Sequence, residues 1–256
     1  MNSSRPLILL SNDDGYRAKG LRVLAESLRE EGDVVVCAPE TQQSATSHAL
    51  TLVRPLRLND HGNKIFSIDG TPADCVYVAL NSGTRVLPRS PDIVVSGLNH
   101  GLNLGTDVFY SGTVAAAREG ALRGYPALAV SASHETDYAA ACQVVRKLVR
   151  AVVAATVKRS LLLNVNFPPG SSWSVRQTCL GMRVYVDSVD YRHDPRGGEY
   201  LWIGGPGAEH SPMADSDTDA YDAGVVSVTP LVLDLYCARE ADSTSDVVRL
   251  VSESEL

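Results

Sequence analysis

The sequence has no dense run of lysine and arginine, no C-x-x-C pair, and no apolar stretch near the roughly 20 residues needed to span a bilayer. Each absence removes a class of function. The formal net charge is -7, so the chain repels nucleic-acid backbones and anionic membranes. A small anionic substrate would need local help from a cation or from backbone N–H groups. The five cysteines, Cys37, Cys75, Cys142, Cys179 and Cys237, are odd in number and widely spaced. That argues against a disulfide framework or a zinc knuckle and for a reducing compartment. The apolar part of the opening stretch MNSSRPLILLSNDD is too short for a secretory signal, so a cytoplasmic location is expected. The six histidines show no H-E-x-x-H spacing, and no G-x-G-x-x-G follows the first apolar run. A dinucleotide cofactor is therefore not expected.

What is present fits a globular chain: 256 residues, 44% hydrophobic and 21% charged. The length suits one large α/β domain or a core with an appendage. Continuous apolar runs at 7–10, 34–38, 92–96, 127–131 and 161–165 read as buried strands, with a weaker one at 65–68. Between them lie helical patterns at 21–29, 73–80, 114–123 and 137–157. Thr71 and Pro72 announce the second of these as N-cap and first helical residue. The alternation predicts an α/β fold with a mostly parallel sheet covered by helices on both faces. Past NVNFPPG the texture changes. Residues 182–192 and 200–203 flank the turn DPRGG and read as a long hairpin. A polar stretch at 209–222 follows, then one or two strands within 225–236. Residues 1–170 are thus expected to form the core, and the remainder a β-rich extension suited to partner contacts.

In open parallel sheets, ligands bind beyond the carboxyl ends of the strands. Three polar loops fall there. The first holds Asn12, Asp13, Asp14 and Gly15. The second holds Ser44, Thr46, Ser47 and His48. The third holds Asn99, His100, Asn103, Asp107, Ser111, Gly112 and Thr113. Adjacent carboxylates repel, and a hard divalent cation bound by oxygen relieves the repulsion. Ser44 and Asn99 are candidate neutral ligands, and Gly15 would permit the bend that turns both acids inward. The plainer alternative has Asp13 capping a turn and Asp14 solvated. Ser111-Gly112-Thr113 opens a helix, which is either a phosphate site or an ordinary N-cap. A cation and a helix N-terminus at one sheet edge suggest phosphate ester chemistry, with Asp13 or Asp14 orienting a water or taking its proton. His48 and His100 are possible auxiliaries, although a single loop histidine is more often structural.

The stretches ILLSNDDG, VVVCAPETQQSATSHALTL, DGTPADCVYVAL, PDIVVSGLNHGLNLGTDVFYSGTVAAAREGA and NVNFPP closely resemble the survival protein SurE family, and the likeness extends to DPRGGEYLWIGG and VSVTPLVLDLY. That resemblance implies a metal-dependent 5'-nucleotidase or acid phosphatase. It implies metal ligation by Asp13, Asp14, Ser44 and Asn99. It implies phosphate contacts from Asn103, Ser111, Gly112 and Thr113, with Asn12 beside them. It implies a Rossmann-like core whose hairpin and C-terminal segment exchange between subunits of a homodimer or homotetramer. Many relatives read S-G-I-N-A-G-P-N where this chain has SGLNHGLN, so His100 and Leu102 are departures beside the site.

The expected activity is hydrolysis of nucleoside 5'-monophosphates by one domain over residues 1–256, with Mg²⁺ or Mn²⁺ as the ion. The rivals are a broad phosphatase or exopolyphosphatase and a non-catalytic nucleotide-binding protein.

Overall fold

The computed structural model describes residues 5–155, 161–185, 189–204 and 208–253. The apolar runs become the centre of a nine-stranded sheet. In chain order the elements are β1 (Leu7–Ser11), α1 (Lys19–Leu28), β2 (Asp33–Pro39), β3 (Leu58–Asp60), β4 (Ile65–Ile68), α2 (Pro72–Asn81), β5 (Ile93–His100) and α3 (Gly112–Leu122). They continue with β6 (Ala127–Ala132), α4 (Tyr138–Ala154), β7 (Leu162–Phe167), β8 (Val175–Gln177), β9 (Met182–Tyr185), β10 (Val189–His193) and β11 (Glu199–Ile203). The last are β12 (Ala208–Ser211), α5 (Asp217–Asp222), β13 (Val226–Leu231) and α6 (Ala241–Glu253).

The sheet order is β3-β4-β2-β1-β5-β6-β7-β13-β8. From β4 to β7 every pairing is parallel, while β3 and β13 run antiparallel to β4 and β7. All five residues of β1 are buried, and their alternation divides the core. Ile8 and Leu10 pack with Leu21, Leu24 and Leu28 of α1 and Val145 and Val149 of α4. Leu7 and Leu9 pack with Cys75 and Val76 of α2 and Val114 and Ala117 of α3. Such two-sided burial is why these strands read as unbroken apolar runs. Truncating one of these leucines to alanine costs about 2–5 kcal/mol.

Chain order reverses at the centre: β1 has β2 on one side and β5 on the other. The carboxyl ends of β1 and β5 therefore open a crevice at a topological switch point. The pairing of β5 with β6 shifts register between Ser96 and Asn99. A bulge at that place re-aims the side chains that follow it.

The expected helix at 73–80 forms as α2, with Thr71 accepting from the Asp74 N–H and Asp74 returning the bond in a capping box. The expected long hairpin is divided. β10 pairs with β11, but β9 pairs with β12 inside the stretch read as merely polar. That stretch also contains α5, whose N-cap is Ser216. Only one strand, β13, forms within 225–236, and β13 and β8 extend the main sheet. The amphipathic α6, with Val247, Val248, Leu250 and Val251 exposed, had no counterpart in the sequence reading.

Candidate active site

β1 ends at Ser11, and the chain turns at once. The Asn12 side-chain amide donates to Gly15 O at 3.1 Å, and Gly15 has φ of +96°, a left-handed conformation that favours glycine. This turn buries Asp13 to 5% exposure and leaves Asp14 partly buried. The N-terminus of α3 meets Asp13 side-on. The Thr113 hydroxyl donates to Asp13 Oδ1, and a Cβ on Gly112 would lie only 2.8 Å from the Asp13 Cβ. Glycine is therefore required at position 112 by close approach. Burial pushes the Asp13 carboxyl up to about 6; the Thr113 hydroxyl opposes this and the Asp14 charge adds to it. Burial also raises Asp14, against the His100 N–H that donates to its Oδ2 at 3.2 Å and the His100 side chain. Among the described residues neither acid forms an ion pair with lysine or arginine.

The loop after β2 is stitched over this centre. Gln43 N donates to Asp13 O at 2.8 Å, and Ser47 N donates to Tyr110 O at 3.0 Å. Ser44 is exposed, and its hydroxyl accepts from Gln42 Nε2 at 3.0 Å. His48 lies apart from the cavity: its Nε2 is 2.9 Å from Glu119 Oε2, and Glu119 in turn pairs with Arg123 at 2.8 Å. His48 thus ties its loop to α3 and stands away from the proposed chemistry.

The third loop supplies Asn99, His100 and Asn103. Asn99 Nδ2 donates to Gly101 O at 3.0 Å, which leaves Oδ1 to face a donor or cation. Asn103 is bracketed by the strand that NVNF forms. Its N–H donates to Asn166 Oδ1 at 2.8 Å, and its carbonyl accepts from Asn164 Nδ2 at 2.7 Å and Asn166 Nδ2 at 3.1 Å. One N–H of its own amide donates to Ser131 Oγ at 2.7 Å. His100 Nδ1 is 2.9 Å from the Tyr138 hydroxyl, and its Nε2 is 2.7 Å from His134 Nδ1. Ser111 is the N-cap of α3, accepting from Val114 N at 3.0 Å; this capping leaves its hydroxyl hydrogen free to donate.

One cavity of about 270 Å³ gathers Asp13, Asp14, Ser44, Asn99, His100, Asn103 and Ser111. Asn12, Gly112 and Thr113 lie against it through Asp13 and the turn. Leu102, a departure from the family pattern, also lines it, as do Gln42, Ala45, Tyr110 and Tyr185, which the sequence did not single out. Tyr110 carried a signal, since it directly precedes Ser111. Tyr185 carried none: it arrives from β9, where Arg183 Nη1 pairs with Asp107 Oδ2 at 2.5 Å and the Tyr185 hydroxyl donates to Asp107 Oδ1 at 2.5 Å.

A divalent cation fits this chemistry. Among the described residues, two carboxylates share a cavity lined by no lysine or arginine, and the buried Asn12 Oδ1 has no hydrogen-bond partner. No group of three or more His, Cys, Asp or Glu is placed to hold a metal ion among the described residues. A cation here would draw on Asp13, Asp14 and neutral oxygens of Asn99 and Ser44, an all-oxygen set suited to a hard ion.

The family model for survival protein SurE matches residues 8–187. The 5'-nucleotidase SurE of Sorangium cellulosum is 60% identical over 239 residues, covering 92% of this chain and 93% of that protein. The 5'-nucleotidase SurE of Caldanaerobacter subterraneus is 44% identical over 237 residues, covering 89% and 92%. The crystal structure of the SurE protein from Aquifex aeolicus superposes with a TM-score of 0.81 at 36% identity, over 95% of this chain and 100% of that one. The match spans the switch-point crevice, the N-D-D-G turn and the start of α3 together, and on this the assignment rests: the chain belongs to the survival protein SurE family.

Proposed function

We propose that this chain is a divalent-cation-dependent phosphatase that hydrolyses nucleoside 5'-monophosphates to nucleoside and phosphate. One observation carries the reading: buried Asp13 and partly buried Asp14, with no lysine or arginine paired to either among the described residues, stand at the carboxyl end of β1, against the N-terminus of α3. Relatives named 5'-nucleotidase supply the substrate class.

Asp13, Asp14, Ser44 and Asn99 would hold Mg²⁺ or Mn²⁺. When bound, such an ion supplies a Lewis acid for a phosphoryl oxygen and lowers the pKa of water. Asp14, the more accessible acid, orients the attacking water and accepts its proton. The water oxygen forms a bond to phosphorus, the bond from phosphorus to the 5'-oxygen breaks, and the departing oxygen takes up a proton from solvent, to which Asp14 returns the one it accepted. Asn103, Ser111, Gly112 and Thr113 face the phosphoryl oxygens, where N–H and O–H donors at a helix start meet developing negative charge. Asn12 positions the turn. His100 sits at the rim as an auxiliary, and His48 acts only through its loop.

We assign residues 1–256 to one domain, with a core over about 1–170 and an extension beyond. The exposed side chains of Tyr191, Leu201, Trp202 and Ile203 on the β10–β11 hairpin, and the apolar stripe of α6, support a homo-oligomer, dimer or tetramer, joined through this arm and the C-terminal segment. No described helix is long and apolar enough to cross a membrane. The cysteine usage supports a cytoplasmic location.

The test is phosphate release from AMP, GMP, deoxynucleotides and short polyphosphate by chelated protein, with Mg²⁺ or Mn²⁺ added back. Metal-restored release led by nucleoside monophosphates is the expected result. Equal release from polyphosphate would indicate a broad phosphatase. No release with either ion would indicate a binding protein.

A further inference from the structure

The cavity that holds Asp13, Asp14, Asn103 and Ser111 is also lined by two aromatic rings, Tyr110 and Tyr185. We propose that Tyr110 and Tyr185 form a nucleobase subsite, so that β9 helps determine substrate choice; this rests on the nucleotide reading above. Tyr110 is 66% exposed and Tyr185 45% exposed, yet both line the cavity that contains Asp13 and Ser111. Tyr110 is the residue before the α3 N-cap, so its distance from the phosphate groups is fixed by the chain.

Tyr185 is held from two directions. Its hydroxyl donates to Asp107, and the Arg183 guanidinium lies 5.4 Å from its ring centroid while pairing with the same carboxylate. Asp107 belongs to the 3-10 turn Gly105–Phe109, immediately before Tyr110. Buried Asp217 ties that turn to the strand a second time, accepting from Gly105 N at 2.9 Å and Gly181 N at 2.7 Å. β9 is thereby fixed to the loop that carries Tyr110, and the Tyr185 ring is set before any ligand arrives. A ring fixed in advance loses little conformational entropy on binding. Asp107 and Asp217 are positioning residues in this scheme.

Stacking on tyrosine recognises the face that every base has, and it does not read base edges. The subsite should therefore accept all bases and favour purines for their larger face. It should discriminate strongly against a sugar phosphate with no base.

The experiment compares kcat/KM and equilibrium binding for AMP and ribose 5-phosphate, using the whole protein and the variants Tyr110→Ala, Tyr185→Ala, Tyr110→Phe and Tyr185→Phe. Each alanine variant is expected to lose about tenfold in kcat/KM for AMP, with ribose 5-phosphate within about twofold of wild type. The phenylalanine variants keep the ring and should retain most of the AMP preference. Equal losses on both substrates, or no loss on AMP, would overturn the subsite. A wild type that hydrolyses neither compound but binds AMP more tightly, with that preference lost in the alanine variants, would overturn the hydrolytic reading and keep the subsite.

Discussion

Thr113, the second residue of α3, donates its hydroxyl to the Oδ1 of Asp13 at the turn after β1. Two segments far apart in sequence thus meet at one carboxylate of the candidate site. A hydrogen bond to a buried charged group contributes about 1.5–3 kcal/mol. Thr113→Val keeps the shape and removes the donor. It should raise the Asp13 pKa further and weaken Mn²⁺ binding by roughly tenfold at neutral pH, since the proton competes with the ion. Calorimetric titration of the chelated protein with Mn²⁺ checks this. An unchanged affinity would show that the hydroxyl does not tune Asp13.

The titration of Asp13 has a consequence for stability without metal. Its folded-state value is about 6 against 3.8. A carboxyl with a raised folded pKa favours the folded state while protonated. That contribution is complete below the unfolded value and is lost as pH rises through the folded one. The loss between about pH 4 and 7 is on the order of 3 kcal/mol at about 1.4 kcal/mol per unit. Asp13→Asn keeps an acceptor for Thr113 and removes the titration. Chelated wild type should fall in Tm relative to this variant as pH rises from 4 to 7. Parallel Tm curves would contradict the burial of an unpaired charge.

Asn166 exchanges hydrogen bonds with both the N–H and the carbonyl of Asn103. Asn166→Leu leaves a buried N–H without its acceptor, at a cost of about 1–3 kcal/mol. Because Asn103 faces the phosphate in the proposed complex, KM should rise more than kcat falls. Asn166→Asp retains the acceptor for the Asn103 N–H and should recover part of the loss. A variant that melts earlier with unchanged kinetics would reduce the bracket to a purely structural role.

The parts of this site that rest on adjacent residues were legible in the sequence. Asp13, Asp14 and Gly15 belong to one turn, and Ser111 to Thr113 belong to one helix start. Parallel topology alone then brings the turn and the helix start together. The capping box of α2 was readable for the same reason, since Thr71 and Asp74 lie one turn apart. What escaped depends on distant pairing. β9 finds β12 instead of β11, and no local pattern marks the partner. Tyr185 lines the cavity where Asp107 and Asp217 tie β9 to the loop before α3. Asn164 and Asn166 sit in a strand whose polar side chains look costly until Asn103 occupies them. The loop position of His48 fits either an auxiliary or a structural role, and its Nε2 lies 2.9 Å from Glu119 Oε2 on α3.

The arm invites a separate test. Trp202 and Ile203 are 64% and 85% exposed, on a two-stranded sheet outside the main one. Buried aromatic and aliphatic anchors at interface centres cost about 2 kcal/mol or more each when removed. Trp202→Ser combined with Ile203→Ser should shift the mass seen by light scattering toward monomer while leaving Mn²⁺ affinity within about twofold. An oligomer of unchanged mass would detach the hairpin from assembly.

The most direct measurement is phosphate release from AMP by chelated protein with Mn²⁺ added back, for wild type, Asp14→Asn and Asp13→Ala side by side. Wild type should recover turnover with metal. Both variants should lose it by at least about a hundredfold while keeping a cooperative thermal transition. Near-normal turnover in either variant under saturating Mn²⁺ would contradict the placing of the chemistry on the Asp13–Asp14 pair.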